Sequence, residues 1–106
     1  MHVQIVSFNL KAMSDVQFRQ ACDEQFAPAF ANVPGLIYKL WLADPDTNTY
    51  GGVYAWRDNQ AMKDFLNSEL FKTVASHPNF SDMTSKDFGI LEGPTRVTNG
   101  LTTASV

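Results

Sequence analysis

Cysteine is nearly absent from this 106-residue sequence, since Cys22 is the single one. An internal disulfide is therefore excluded, and we expect a reducing compartment, the cytoplasm. Basic residues are also few, 8 against 11 acidic ones, and the net charge of −3 argues against a nucleic-acid partner. No apolar run reaches the roughly 20 residues of a membrane span, and the N-terminal segment lacks the pattern of a signal peptide.

The motifs of common cofactor and metal sites are missing as well. The sequence has no glycine-rich dinucleotide motif and no P-loop, and no nucleophile elbow surrounds Ser7 or Ser14. His2 and His77 lie too far apart along the chain for any usual metal-ligand spacing. We therefore expect neither a metal nor a bound cofactor.

What the sequence does contain is an apolar hairpin between Pro34 and Trp56. Leu36 to Leu42 holds one charge, Tyr50 to Trp56 holds none, and the residues from Asp44 to Thr49 are dense in turn formers. A half-buried strand alternates apolar and polar residues, and these two strands do not. Both faces of the hairpin are therefore predicted to be covered.

The other predicted elements surround this hairpin. A strand over His2 to Phe8 precedes a helix capped by Ser14, with Gln17 completing a capping box. The helix carries an apolar stripe at steps of four and a proline, Pro28, that predicts a kink or a break. Its stripe consists of Phe18, Cys22, Phe26 and Phe30.

Two short helices and a last strand are predicted after the hairpin. Asp58 and Ser68 are predicted caps of two short helices that end before Pro78, and Asp82 to Leu91 is predicted as an edge strand. The domain is expected to cover residues 1–94. Residues 95–106 form a tail, with either a short strand at Arg96 to Thr98 or a frayed end over the last eight residues.

The order β-α-β-β-α-β predicts an α+β, ferredoxin-like fold. Its four-stranded antiparallel sheet has helices on one face only. Because the strands are apolar on both sides, the other face would expose more apolar surface than a soluble monomer tolerates. The expected solution is a homodimer with the two sheets face to face, a dimeric α+β barrel.

Two pieces of the hairpin carry a resemblance to a known family. Pro34-Gly35-Leu36-Ile37-Tyr38-Lys39-Leu40-Trp41, followed by Gly51-Gly52-Val53-Tyr54 and Asp58, resembles the YdhR family of monooxygenases. This family is similar to the cofactor-free antibiotic-biosynthesis and quinol monooxygenases of the dimeric α+β barrel group. The resemblance implies oxidation of a small aromatic or quinol-like substrate by O₂ without a cofactor.

The candidate site residues lie mainly on the hairpin. By period two, Tyr54 shares a face with Trp56, and Lys39 shares a face with Trp41. One interpretation is an aromatic wall with Lys39 or Tyr54 as its polar group. The alternative is that the aromatics are core or interface packing, and that Lys39 pairs with a carboxylate or reaches the sheet edge. The double glycine before Val53 indicates a close backbone approach or space for a ligand.

His77 is the remaining candidate base, because histidine titrates near neutral pH; the alternative is a surface histidine at a helix end. The substrate-binding candidates also include Tyr38, Phe65, Met62 and Phe26. Cys22 is expected to be core. Two other functions remain open on the same scaffold: a non-catalytic small-molecule binding or accessory protein, and an isomerase or cyclase that works by proton transfer.

Overall fold

The structure is a computed structural model that describes residues 1–101. Its core is one four-stranded antiparallel sheet with the strand order β2-β3-β1-β4. The strands are β1 (His2–Leu10), β2 (Leu36–Asp44), β3 (Thr49–Trp56) and β4 (Phe80–Gly89). The ferredoxin-like α+β fold is confirmed. Within these 101 residues, no helix has the length and apolar character needed to cross a membrane.

The first helical region begins at the predicted cap. Ser14 accepts a hydrogen bond from the backbone of Gln17, whose side chain accepts one from the backbone of Ser14 in return. Helix α1 (Asp15–Ala21) then passes into a π-helical turn (Cys22–Phe26) and into α2 (Ala27–Phe30). Pro28 has no N–H to continue the α-helical pattern, and the Ala27 N–H bonds to the carbonyl of Cys22 instead. The predicted break is confirmed, and it takes the form of a wider turn.

The predicted caps of the second helical region are also confirmed. Asp58 caps α3 (Asn59–Leu66) and Ser68 caps α4 (Glu69–Ala75), each accepting a hydrogen bond from a backbone N–H three residues on. Both helices contribute apolar side chains to one core together with α1 and α2. The connection between α3 and α4 is short because Ser68, the cap of α4, follows soon after α3 ends at Leu66.

The end of the chain differs from the prediction. Strand β4 starts at Phe80 and stops at Gly89, so Ile90 and Leu91 lie outside it. Of the two alternatives for the tail, the short strand at Arg96 to Thr98 does not form, because helix α5 (Glu92–Val97) covers most of this segment. Pro94 is compatible with that helix because it lies in the first turn, where a backbone N–H has no helical partner. The predicted frayed end starts in a turn at residues 99–101, and residues 102–106 lie outside the described residues.

The register of the strands defines two faces of the sheet. Paired residues of neighbouring strands share a face, so Gln4 and Tyr54 point to one side, and Ile5, Val53 and Lys86 to the other. The helix face contacts the helices. It carries Gln4, Val6, Phe8, Lys39, Trp41, Tyr50, Gly52, Tyr54 and Trp56. The open face has no helix of this chain over it and carries Val3, Ile5, Leu40, Leu42, Val53 and Phe88.

Candidate functional site

Lys39 occupies an aromatic cage on the helix face. Its ammonium nitrogen lies 3.5 Å from the ring centroid of Trp41, 3.7 Å from that of Phe30 and 4.5 Å from that of Tyr54. Among residues 1–101 it makes neither an ion pair nor a hydrogen bond. Of the alternatives for Lys39, pairing with a carboxylate is therefore not found within these residues, and aromatic rings surround the amine instead.

Gly52 makes this position of Lys39 available. A Cβ at residue 52 would lie 2.7 Å from Cε of Lys39, inside contact distance, so the lysine stem crosses β3 where a side chain is missing. Gly51 has a different role, because a Cβ there would lie 1.9 Å from the carbonyl oxygen of Val6 on β1. The predicted close backbone approach is confirmed at Gly51, whereas the space at Gly52 is occupied by the Lys39 stem and not left for a ligand.

Burial lowers the pKa of the Lys39 amine to about 7. The amine has lost much of its water, and no carboxylate restores the lost stabilisation of the charged form. The three ring faces act in the opposite direction, since each attracts the ammonium. Both the neutral amine and the ammonium are therefore available at neutral pH.

Tyr54 supplies the second polar group at this place. Its side chain is 3% exposed, and within the described chain its hydroxyl has no hydrogen-bond partner. Burial raises the pKa of this hydroxyl, so it keeps its proton and acts as a donor. Its ring is stacked on Trp56 at 5.8 Å between centroids, and the Trp56 indole N–H donates to Oε1 of the buried Gln4 at 3.0 Å.

Lys39 and Tyr54 border a small cavity between the helices and the sheet. The remaining walls are apolar or glycine, apart from the indole of Trp41, and the free volume is about 20 Å³, room for roughly one water molecule. The cavity walls include Phe26, Phe30, Phe71, Phe80, Val74, Gly51 and Gly52. It is thus a small, partly open aromatic space beside two polar groups that have no protein hydrogen-bond partner among residues 1–101.

Trp41 separates this cavity from two open grooves. One groove, of about 340 Å³, runs between the first helix and β2 and includes Cys22 and Asp23. The other, of about 220 Å³, lies between α2 and β2 and includes Lys39 and Tyr38. Trp41 lines all three spaces, is 37% exposed and belongs to an edge strand. Trp41 is therefore the residue common to the linings of the cavity and both grooves.

Not all predicted site residues meet at the cavity. Lys39, Trp41, Tyr54 and Phe26 line it. Trp56 and Phe65 pack directly behind Tyr54, with ring centroids 5.8 Å and 5.6 Å from it, and Met62 is buried in the same core. The Tyr38 backbone pairs with Ala55, which belongs to the open face.

His77 lies one layer away from the cavity. Its ring stacks on Phe80 at 4.4 Å and meets the edge of Phe26 at 6.1 Å, and both of these rings are cavity walls. Its Nδ1 accepts a hydrogen bond from the backbone N–H of Asn79 at 3.1 Å. The structure therefore does not bring His77 into contact with Lys39 or Tyr54.

Gln4 is a structurally important residue that the sequence analysis missed. It is fully buried, accepts from Trp56 and donates to the Ser85 hydroxyl at 2.9 Å, and so fixes the indole against which Tyr54 stacks. Its position on the inward side of β1, alternating with Val3 and Ile5, was the available signal. A buried amide on a helix-facing position requires partners.

Comparison with known proteins identifies the family. The family model described as "Putative mono-oxygenase ydhR" matches residues 3–101. The chain belongs to the YdhR family. No curated protein sequence matches this family member significantly.

Solved structures of related fold agree with this assignment. A putative antibiotic biosynthesis monooxygenase from Deinococcus radiodurans has a TM-score of 0.70 and 18% identity over 88% of this chain and 95% of its own. The heme-degrader MhuD from Mycobacterium tuberculosis, solved with two hemes bound, gives 0.68 and 19% over 86% and 96%. SnoaB, a cofactor-independent oxygenase from Streptomyces nogalater, gives 0.64 and 22% over 84% and 92%. At these identities the likeness concerns the fold.

Proposed function

We propose that this YdhR-family protein oxidises a small phenolic or quinol-like substrate with O₂, without a bound cofactor, in an enlarged form of the cavity beside Lys39 and Tyr54. The supporting observation is the pair of unpartnered polar groups in an otherwise aromatic space. A flat aromatic molecule fits such walls, and its oxygen would meet both groups.

The two groups have complementary roles in this proposal. The neutral Lys39 amine takes the proton of a phenol or enol, and the resulting ammonium stabilises the substrate anion. The Tyr54 hydroxyl donates a hydrogen bond to the same oxygen. Because the surroundings exclude water, both interactions are stronger than they would be in solution.

The oxidation itself balances without a further reductant. The substrate anion gives one electron to O₂, and the two radicals combine to a peroxide on carbon. Loss of water from the peroxide leaves a carbonyl. An activated CH₂ group thus becomes C=O, while O₂ provides one oxygen atom to the product and one to water.

Substrate entry requires a change at Trp41. A free volume of about 20 Å³ does not admit an aromatic ring, whereas the neighbouring grooves of about 340 Å³ and 220 Å³ do. Rotation of the Trp41 side chain away from Phe30 would merge these spaces, since the two rings meet edge to face at 5.6 Å. Lys39 would then lose one ring of its cage at the moment when the substrate arrives to replace it.

The working unit in this proposal is a homodimer in a cytoplasmic, reducing environment. Four large apolar side chains on the open face are 39–55% exposed, namely Ile5, Leu40, Leu42 and Phe88. A monomer in water would not normally keep such a contiguous apolar patch. The same face of a second copy is its simplest cover, and the contact would be isologous.

Oxygen uptake tests the proposed reaction. The purified protein, with no flavin or metal added, is mixed with a panel of quinols and anthrones in an oxygen electrode. We expect uptake by the unmodified protein, at least a tenfold loss in Lys39→Met, and a smaller loss in Tyr54→Phe, which keeps the ring but removes the donor. His77→Ala is the comparison variant, and we expect it to retain uptake because His77 does not reach the cavity.

Other outcomes distinguish the alternatives. Tight binding of the panel without uptake would favour a binding or accessory protein. Exchange of substrate C–H for deuterium without oxygen consumption would favour an isomerase or cyclase. Uptake that persists in both Lys39→Met and Tyr54→Phe, or that is lost only in a correctly folded His77→Ala, would overturn the assignment of the site.

A further inference from the structure

The Lys39 amine lies where two spaces meet. On one side is the aromatic cavity, and on the other is the groove of about 220 Å³ between α2 and β2. The residues lining both spaces include no acidic side chain. A molecule in the groove would therefore meet a primary amine that is not held in an ion pair.

The groove combines apolar side chains with exposed polar atoms. Besides Lys39, Phe30 and Trp41 it is formed by Ala27, Ala31, Leu36, Ile37 and Tyr38. Polar atoms contribute more of its exposed surface than apolar ones, which suits a small uncharged molecule that carries both an apolar body and a polar group. The Lys39 amine is the one basic group that such a molecule would reach among the residues that line the groove.

We propose that Lys39 forms a Schiff base with the carbonyl carbon of a small hydrophobic aldehyde bound in the groove between α2 and β2. The neutral amine attacks the carbonyl carbon and a C–N bond forms. The carbonyl oxygen takes up protons and leaves as water, and the nitrogen retains a positive charge as an iminium. This activity is separate from the oxidation proposed above and needs neither O₂ nor a phenol.

The cage that surrounds the ammonium also suits the iminium. Both are cations at the same nitrogen, and the faces of Trp41, Phe30 and Tyr54 attract positive charge at 3.5–4.5 Å. The lowered pKa of Lys39 adds to this, because only the uncharged amine is a nucleophile.

The other lysines provide an internal comparison. Lys11, Lys63, Lys72 and Lys86 are exposed, and no described ring lies over their nitrogens. A lysine in water, with a reference pKa of about 10.4, is almost entirely ammonium at neutral pH. Selective reaction at Lys39 therefore measures the effect of the cage and groove.

Reductive trapping tests the proposal. The anaerobic protein is incubated with benzaldehyde and cyanoborohydride at pH 7, and benzyl adducts are located by peptide mass mapping at several times. We expect Lys39 to be labelled at least tenfold faster than each of the four exposed lysines. Lys39→Met should lose this fast phase and keep the slow one, and benzyl alcohol should slow the fast phase by competing for the groove.

Two further measurements distinguish a reactive Lys39 in the folded protein from one that is labelled only because the protein unfolds locally. The rate at Lys39 should fall as pH drops below about 7, while a reaction limited by local unfolding would track stability instead. Gly52→Ala, which crowds Cε of Lys39, should reduce the fast phase in a protein that remains folded by circular dichroism. Labelling of Lys39 no faster than Lys63, or a fast phase that survives in Lys39→Met, would overturn the proposal. Because both proposals use the neutral Lys39 amine, oxygen uptake is measured separately and alone decides whether the oxidation takes place.

Discussion

The two faces of the sheet differ in which kind of group lacks a partner. On the helix face, aromatic rings and helices cover the central strands β1 and β3, and two polar groups beside them lack a protein partner within the described residues, the Lys39 amine and the Tyr54 hydroxyl. On the open face, the exceptions are apolar, with Leu40 and Phe88 more than half exposed. Unpartnered polar groups inside a dry space suggest ligand chemistry, whereas unpartnered apolar groups in water suggest assembly. The same sheet thus separates a candidate reaction site from a candidate interface.

The largest expected effect comes from a substitution that disrupts the pairing of β1 with β3, the two central strands of the sheet. Gly51→Ala places a Cβ 1.9 Å from the carbonyl oxygen of Val6, and neither backbone can yield without loss of β1–β3 pairing. We expect unfolding free energy to fall by about 3–5 kcal/mol in a urea titration. Gly89→Ala is the matched control, because nothing lies within 4 Å of its Cβ, and it should change stability by less than about 1 kcal/mol. Equal effects would show that β1 does not approach β3 as closely as described.

A charge on the open face tests the assembly side of the comparison. Leu40→Glu places a carboxylate in the proposed interface of each copy, so we expect dimerisation about 100-fold weaker in sedimentation equilibrium. Val16→Glu is the control, since Val16 is 73% exposed on α1, on the other side of the molecule. It should leave the association unchanged. A wild-type protein that sediments as a monomer at micromolar concentration would contradict the dimer directly.

The smallest expected effect concerns the pH dependence of stability, which reports on Lys39. Its folded pKa of about 7 lies below the unfolded value of 10.5, so between these values the unfolded chain binds a proton that the folded chain lacks. Stability should therefore rise with pH from about 7, by at most about 1.4 kcal/mol per unit. Above about pH 9 the buried Cys22 thiol, whose pKa is raised to about 11, begins to offset this rise. Lys39→Met should flatten the curve between pH 7 and 9, as followed by thermal unfolding, and an unchanged slope would show that Lys39 is charged in its cage.

The local features of the fold could be predicted from the sequence. Ser14, Asp58 and Ser68 act as caps through residues three positions away, and the hairpin turn is determined by its own polar residues. An edge strand was also predicted over Asp82 to Leu91, and β4 occupies Phe80–Gly89 at one edge of the sheet. Each of these predictions depends on interactions within a few residues or on a simple period.

The site depended on contacts between distant segments. For Lys39 the sequence left three positions open: an aromatic wall, a carboxylate pair and the sheet edge. Its actual position requires space left by Gly52 on the neighbouring strand and a ring from Phe30 on the helix. His77 was a reasonable base by chemistry alone, yet Phe26 and Phe80 stand between it and the cavity. Spacing along one strand cannot reveal such intervening layers. The C-terminal helix was missed because glycine, proline and threonine resemble a tail in composition.

The π-helical turn determines which side chains of the first helical region face the core. Four residues overshoot an α-helical turn by about 40°, so three successive steps of four would drift by about 120° around a regular helix. The wider turn at Cys22–Phe26 winds back part of this drift, and Phe18 and Phe30 consequently face the same core twelve residues apart. A chain shortened by a single residue inside the turn would form a tidier helix and rotate Phe30 off the lysine. The number of aromatic rings around the Lys39 nitrogen therefore depends on the length of this helical segment as well as on its residues.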